Sequence, residues 1–147
     1  MRILDTNVVS ELIVTRSTLP APSFFDDGIP SDWWLSAISV AELQRGLQLL
    51  PAGQRKQRLD VALRQRILRP FSDRILDFGN DLATAWAHVM ASEQRRGNQL
   101  STADGILAAT ALAHDAVLVT RDKQLLSVAQ IKTLNPWSTN IPNAGTL

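Results

Sequence analysis

Residues 1–12 read MRILDTNVVSEL, and this stretch decides how the rest of the chain folds. Arg2 to Leu4 is a short, mostly apolar lead-in suited to a buried strand. Asp5, Thr6 and Asn7 interrupt it with three small polar residues. Val8, Val9, Leu12 and Ile13 then recur at helical spacing, which predicts a helix from near Asn7. A carboxylate where a strand hands over to a helix lies on the carboxyl edge of an α/β sheet, where such folds bind ligands. Helix capping by Asp5, Thr6 or Asn7 is the competing account.

Strand and helix patterns alternate downstream. Thr15 to Asp32, with Pro20, Pro22 and Pro30, reads as a loop with one helical turn around Ala21 to Asp27. Trp33 to Leu35 is a second strand. Ser39 and Glu42 have capping-box spacing and open a helix whose apolar face is Val40, Leu43, Leu47 and Leu50. Gln54 to Arg69, stopped by Pro70, is a further helix with Leu59, Leu63 and Ile67 inward. On it Arg55, Arg58, Arg66 and Arg69 fall within an arc of about 80° at ~100° per residue. This stripe is either a solvated face or a contact for a polyanion. Arg74 to Leu76 is a third strand, and Asn80 to Arg95 a long helix with His88 on its surface. Ser101 and Asp104 repeat the capping-box spacing before an alanine-rich helix that ends near Ala113. Val117 to Val119 is a fourth strand, followed by Thr120-Arg121-Asp122, a short helix from Lys123 to Val128, and a fifth strand at Ile131 to Leu134. This alternation predicts an α/β fold, an open and mainly parallel sheet of four to five strands with helices on both faces. Residues 1–137 form the single domain and Ser138 to Leu147 a loose tail.

Composition narrows the function. The chain has 147 residues, 45% hydrophobic and 20% charged, enough to bury roughly 70% of its unfolded surface. It has no cysteine, which excludes disulfides, thiolate metal sites and a cysteine nucleophile. Asp5 and Glu11 interrupt any signal-peptide core, and His114 and Asp115 break the most apolar stretch, so a cytoplasmic, non-membrane protein is expected. The net charge is +1, unevenly spread. Residues 1–44 hold two basic and six acidic side chains, residues 45–74 eight and two, and residues 75–147 five and six. A basic middle between acidic flanks fits an anionic partner beside a carboxylate site.

The carboxylates are the chemistry. Asp5 and Asp122 follow strands, while Glu42 and Asp104 are placed in the first turns of helices, so all four are expected at one sheet edge. Each alone has a capping explanation, but together they repel unless a cation is present. Oxygen ligands without His or Cys favour Mg2+ or Mn2+ over zinc. A metal-dependent phosphoryl hydrolase is the chemistry such a set serves.

In their order, Asp5-Thr6-Asn7, Ser39-x-x-Glu42-Leu43, Ala103-Asp104 before Ile106-x-Ala108-Ala109, and Leu118-Val119-Thr120-Arg121-Asp122 resemble a PIN domain, over Met1 to Trp137. Ala41 to Gly46 and Leu134-Asn135-Pro136-Trp137 are similar to the VapC-type toxins of bacterial toxin–antitoxin pairs. The resemblance implies a three-layer α/β/α domain that cleaves single-stranded RNA with a metal-activated water. It makes Asp5, Glu42, Asp104 and Asp122 the catalytic and metal-binding set, with Thr6, Asn7 and Thr120 as polar accessories. It also implies Mg2+ or Mn2+ as cofactor, a cognate antitoxin as partner, and a homodimer to which Trp33, Trp34, Phe71 and Trp86 could contribute. One departure is that Leu125-Leu126 stands where many relatives carry an acidic residue followed by Phe, which leaves Asp122 alone at that corner. A small-molecule phosphohydrolase with an Asp nucleophile and a PIN-like binding module without catalysis are the other readings. The first normally wants a second Asp where Asn7 stands.

Overall fold

The structure, a computed structural model, describes residues 1–13 and 29–138. Strand β1 (Arg2–Leu4) leads into α1 (Thr6–Ile13), and β2 (Trp33–Ser36) into α2 (Ala37–Gln48). Helix α3 (Gln54–Leu63) continues as a π turn over Arg64–Leu68 and is followed by β3 (Ile75–Leu76). Then come α4 (Asn80–Arg95), α5 (Thr102–Ala113), β4 (Val117–Val119), α6 (Lys123–Leu126) and β5 (Lys132–Leu134). The five strands form one sheet in the order β3-β2-β1-β4-β5, and every pair is parallel.

Alternation along each strand sends side chains to two cores. Leu4, Leu35 and Val119, in register across β1, β2 and β4, face α1, α2, α3 and the π turn. Ile3 and Leu118 face α4, α5 and α6. The result is the expected three-layer arrangement. Helix α5 is buried from Gly105 to Ala111, as its alanines predicted. It lies close against α4: a Cβ on Gly105 would come within 2.9 Å of Trp86 Nε1 and collide with the Met90 thioether.

The sheet order also marks where a ligand should bind. The chain moves outward from β1 through β2 to β3, then crosses back to place β4 on the other side of β1. The gap beyond the carboxyl ends of β1 and β4 is the topological switch point, the usual ligand crevice of an open parallel sheet. Asp5 follows β1 and Thr120 follows β4.

Several expectations are corrected. Helix α2 begins two residues before Ser39, capped by Ser36, whose side chain accepts from the Ile38 N–H. Ser39 is instead buried inside the helix, its hydroxyl donating to the Leu4 carbonyl at 3.4 Å. Glu42 therefore sits in the second turn, not in a capping box. The Gln54 to Arg69 helix is not α-helical throughout, since the Arg69 N–H donates to the Arg64 carbonyl at 3.0 Å, an i→i+5 bond. Leu63, Ile67 and Phe71 are spaced by fours and all buried. In an α-helix that spacing drifts by about 40° per step, and the wider turn absorbs the drift. Trp33 and Phe71 are core residues, so of the four aromatics offered for a dimer face only Trp34 and Trp86 are half-exposed. Helix α6 stops at Leu126 rather than Val128. The helical turn expected at Ala21 to Asp27 and the tail beyond Ser138 lie outside the described residues.

Candidate active site

Asp5 is tied to both strands at the switch point. Its N–H donates to the Val119 carbonyl at 3.0 Å, and its carbonyl accepts the Val8 and Val9 N–H groups that start α1. Its side chain is only 5% exposed. Carboxylate oxygen Oδ2 accepts from Thr120 Oγ1 at 2.6 Å and from Asn7 Nδ2 at 2.6 Å. Thr120 in turn accepts the Asp122 N–H at 2.9 Å, which couples the loop after β4 to the carboxylate.

The electrostatics separate a site from a cap. Burial pushes the Asp5 pKa up from 3.8 to about 6. Hydrogen bonds from Thr120 and the Thr6 N–H oppose the rise, while the charges of Asp104 and Glu42 add to it. A carboxylate that serves only as a helix cap is stabilised as the anion. Asp5 is held in the opposite sense.

Glu42 and Asp104 are half-buried on α2 and α5, which touch each other. Thr6 Oγ1 donates to Glu42 Oε2 at 2.5 Å. Ser101 Oγ accepts the Asp104 N–H at 3.1 Å, which caps α5, and donates to Asp104 Oδ2 at 2.7 Å, so the returning bond of a capping box runs here to the Ser101 hydroxyl rather than to its N–H. Asp122 is different. Its Oδ1 caps α6 by accepting from Gln124 and Leu125 N–H, at 2.8 and 3.1 Å. The structure thus places Asp5 within electrostatic reach of Glu42 and of Asp104, and engages Asp122 as a cap joined to Asp5 through Thr120. Arg55, Arg58, Arg66 and Arg69 are all exposed. Arg55 lines a cavity of about 260 Å³ whose other lining includes Thr6, Ser10, Glu42, Gly46 and Leu59. Arg66 reaches back to the Ile13 carbonyl at 3.3 Å.

The donor chemistry fits a hard divalent cation. Asn7 Oδ1 is a buried acceptor with no hydrogen-bond partner, beside a carboxylate whose charge is disfavoured. Among the described residues no three acidic or imidazole groups are drawn close enough to hold an ion as they stand. Glu42 and Asp104 are instead turned to the hydroxyls of Thr6 and Ser101. Arg121 belongs to the Leu118 to Asp122 run, but no spacing gives it a role, and its guanidinium lies 4.5 Å from the centroid of the Trp137 ring. That pair forms only when the loops after β4 and β5 are brought together.

Comparisons with known proteins agree with this geometry. The PIN domain family model matches residues 2–131. Toxin FitB of Neisseria gonorrhoeae is 38% identical over 137 residues, 93% of this chain and 99% of that protein. VapC ribonuclease Y4jK of Sinorhizobium fredii is 36% identical over 137 residues, 93% of this chain and 98% of that protein. A solved structure of FitAB bound to an IR36 DNA fragment superposes with a TM-score of 0.86 at 35% identity, covering 96% of this chain and 99% of the matched chain. With the acidic residues set at the switch point of a five-stranded parallel sheet, the chain belongs to the PIN-domain family, in the group that holds the FitB and VapC toxins.

Proposed function

We propose that this protein is the toxin of a toxin–antitoxin pair and that it hydrolyses the phosphodiester bonds of single-stranded RNA with Mg2+ or Mn2+ as cofactor. The observation that carries the reading is Asp5, a buried carboxylate at the switch point whose pKa is raised by burial and by Asp104 and Glu42. Asp5, Glu42 and Asp104 would hold the ion, with Asp122 at the rim. An ion held there would neutralise phosphate charge and lower the pKa of a bound water. The protein's own groups do the positioning. Thr120 and Asn7 hold one oxygen of Asp5 at 2.6 Å each, and Thr6 holds Glu42. Asp122 Oδ2, which has no hydrogen-bond partner among the described residues, is available to accept a proton or orient a water.

A protein antitoxin and a second copy of the chain are the proposed partners. Support comes from solved relatives that are themselves complexes, FitAB bound to DNA among them. No helix among the described residues is long and apolar enough to cross a membrane.

RNA cleavage should be measured with Mg2+, with Mn2+ and in EDTA, beside a phosphatase assay on a small phosphomonoester. Cleavage of single-stranded RNA that needs the ion and vanishes in Asp5→Asn is the expected result. Phosphomonoester hydrolysis without RNA cleavage would make the chain a small-molecule phosphohydrolase. Neither activity, with RNA still bound, would leave a binding module.

A further inference from the structure

Arg121 stands between the two residues that close the acidic site, Thr120 on Asp5 and Asp122 at the rim. It is exposed, and a flexible guanidinium next in the chain to one carboxylate and to the threonine that holds another has ready ion-pair partners. Among the described residues the ion pairs are Arg2–Asp32, Arg64–Asp60, Arg96–Glu93 and Lys132–Asp115. Arg121 is in none of them. It is stacked instead on Trp137, which packs against the core shared by α1 and α2. An exposed cation–π contact is common in itself. What sets this one apart is its effect: it holds a cation at the edge of an acidic site without letting it neutralise the acids.

Sheet order gives the cation a counterpart. Glu42 and Arg55, which line one cavity, follow β2 in the chain, while Arg121 and Trp137 follow β4 and β5 on the other side of β1. Two exposed guanidinium groups therefore lie on opposite sides of β1. We propose that the Arg121–Trp137 pair is a phosphodiester-binding subsite, which anchors the RNA backbone on the β5 side of Asp5. The planar fork of Arg121 suits two phosphate oxygens, and the indole fixes its orientation before the ligand arrives. This subsite rests on the RNA-cleaving function proposed above, but its test does not depend on cleavage.

The test is binding of a short fluorescein-labelled single-stranded RNA in EDTA, followed by anisotropy across a series of KCl concentrations. Arg121→Gln should weaken binding roughly tenfold. It should also lower the slope of log affinity against log salt by about 0.7, the release expected for one contact to a single strand. Arg121→Lys should keep the slope and lose part of the affinity, because an ammonium neither stacks nor forks. Trp137→Leu should weaken binding in the parent and add nothing in the Arg121→Gln background. If that variant does not fold, Trp137→Phe, which keeps a ring under the guanidinium, should bind nearly as the parent does. A purely structural role for the pair would lower thermal stability and leave the salt slope alone. The subsite is overturned if the parent shows no salt-dependent RNA binding, or if Arg121→Gln matches it in affinity and slope. It is equally overturned if that variant loses affinity only for an acidic protein partner. A parent that binds RNA through Arg121 yet cleaves none with any ion keeps the subsite and removes the cleavage function.

Discussion

Asp5 is placed where its charge is costly. Its folded pKa of about 6 stands above the ordinary 3.8, so the folded protein prefers it protonated. In metal-free buffer the stability tied to this residue is fully present below pH 3.8 and is lost as pH rises through 6, by about 3 kcal/mol in all. Asn at this position can present its carbonyl to Thr120 and Asn7 in place of Oδ2 while removing the charge. Asp5→Asn should therefore be the more stable protein at neutral pH in EDTA, by up to that amount, with the gap closing toward about pH 4. Urea unfolding of both proteins across this range reads the difference directly. A gap that does not change with pH would mean that Asp5 is not desolvated.

At the scale of elements, α6 has four residues and cannot hold itself as a helix. Asp122 caps its start. Its end is tied to α4 by Glu93, a carboxylate only 1% exposed. Arg96 donates to both Glu93 oxygens at 2.6 and 2.8 Å and Asn98 to one at 2.8 Å. The same donors reach the carbonyls of Ser127 and Gln124 at the end of α6. Burial alone would raise the Glu93 pKa, but hydrogen bonds from Asn98, Arg96 and the Ala129 N–H outweigh it and hold it below the usual 4.5. Its contribution is thus present above pH 4.5 and lost as pH falls through the lower folded value. Glu93→Gln should cost about 2 kcal/mol at neutral pH, less than a fully buried pair because Arg96 is half exposed. Amide exchange should quicken first in α6. Nothing in the sequence announces Glu93, which reads as one more polar residue near a helix end. The same blindness explains the misplaced start of α2. Ser36 and Ser39 are equally good caps in one dimension, and only the bond from Ser39 to the Leu4 carbonyl shows that the second is buried. The π turn was hidden for a related reason, since it answers the packing of Leu63, Ile67 and Phe71.

The whole molecule brings its acids together through sheet order. That much was legible, because β1 and β4 are short apolar runs ended by polar residues, and Asp5 and Asp122 follow them directly. Asp5 lies within electrostatic reach of Glu42 and Asp104, while Asp122 caps α6 through backbone N–H groups that sequence spacing cannot weigh against a ligand. Repulsion among the three should make the protein respond to cations as a unit. Mg2+ at about a hundred times its dissociation constant should raise the melting temperature by roughly 5–10 °C, and Asp5→Asn or Asp104→Asn should abolish the rise. Calorimetry with Mg2+ and with an equal ionic strength of KCl separates site binding from screening. No rise with Mg2+ or Mn2+ would count against an ion site at this edge. The bond from Thr120 to Asp5 joins residues 115 apart in the chain. A ribosome needs roughly 6–23 s to cover that distance. Until β4 has emerged, Asp5 has neither its hydroxyl partner nor the strand that buries it. A nascent chain that has not yet released β4 should therefore lack the acidic centre proposed to cleave RNA.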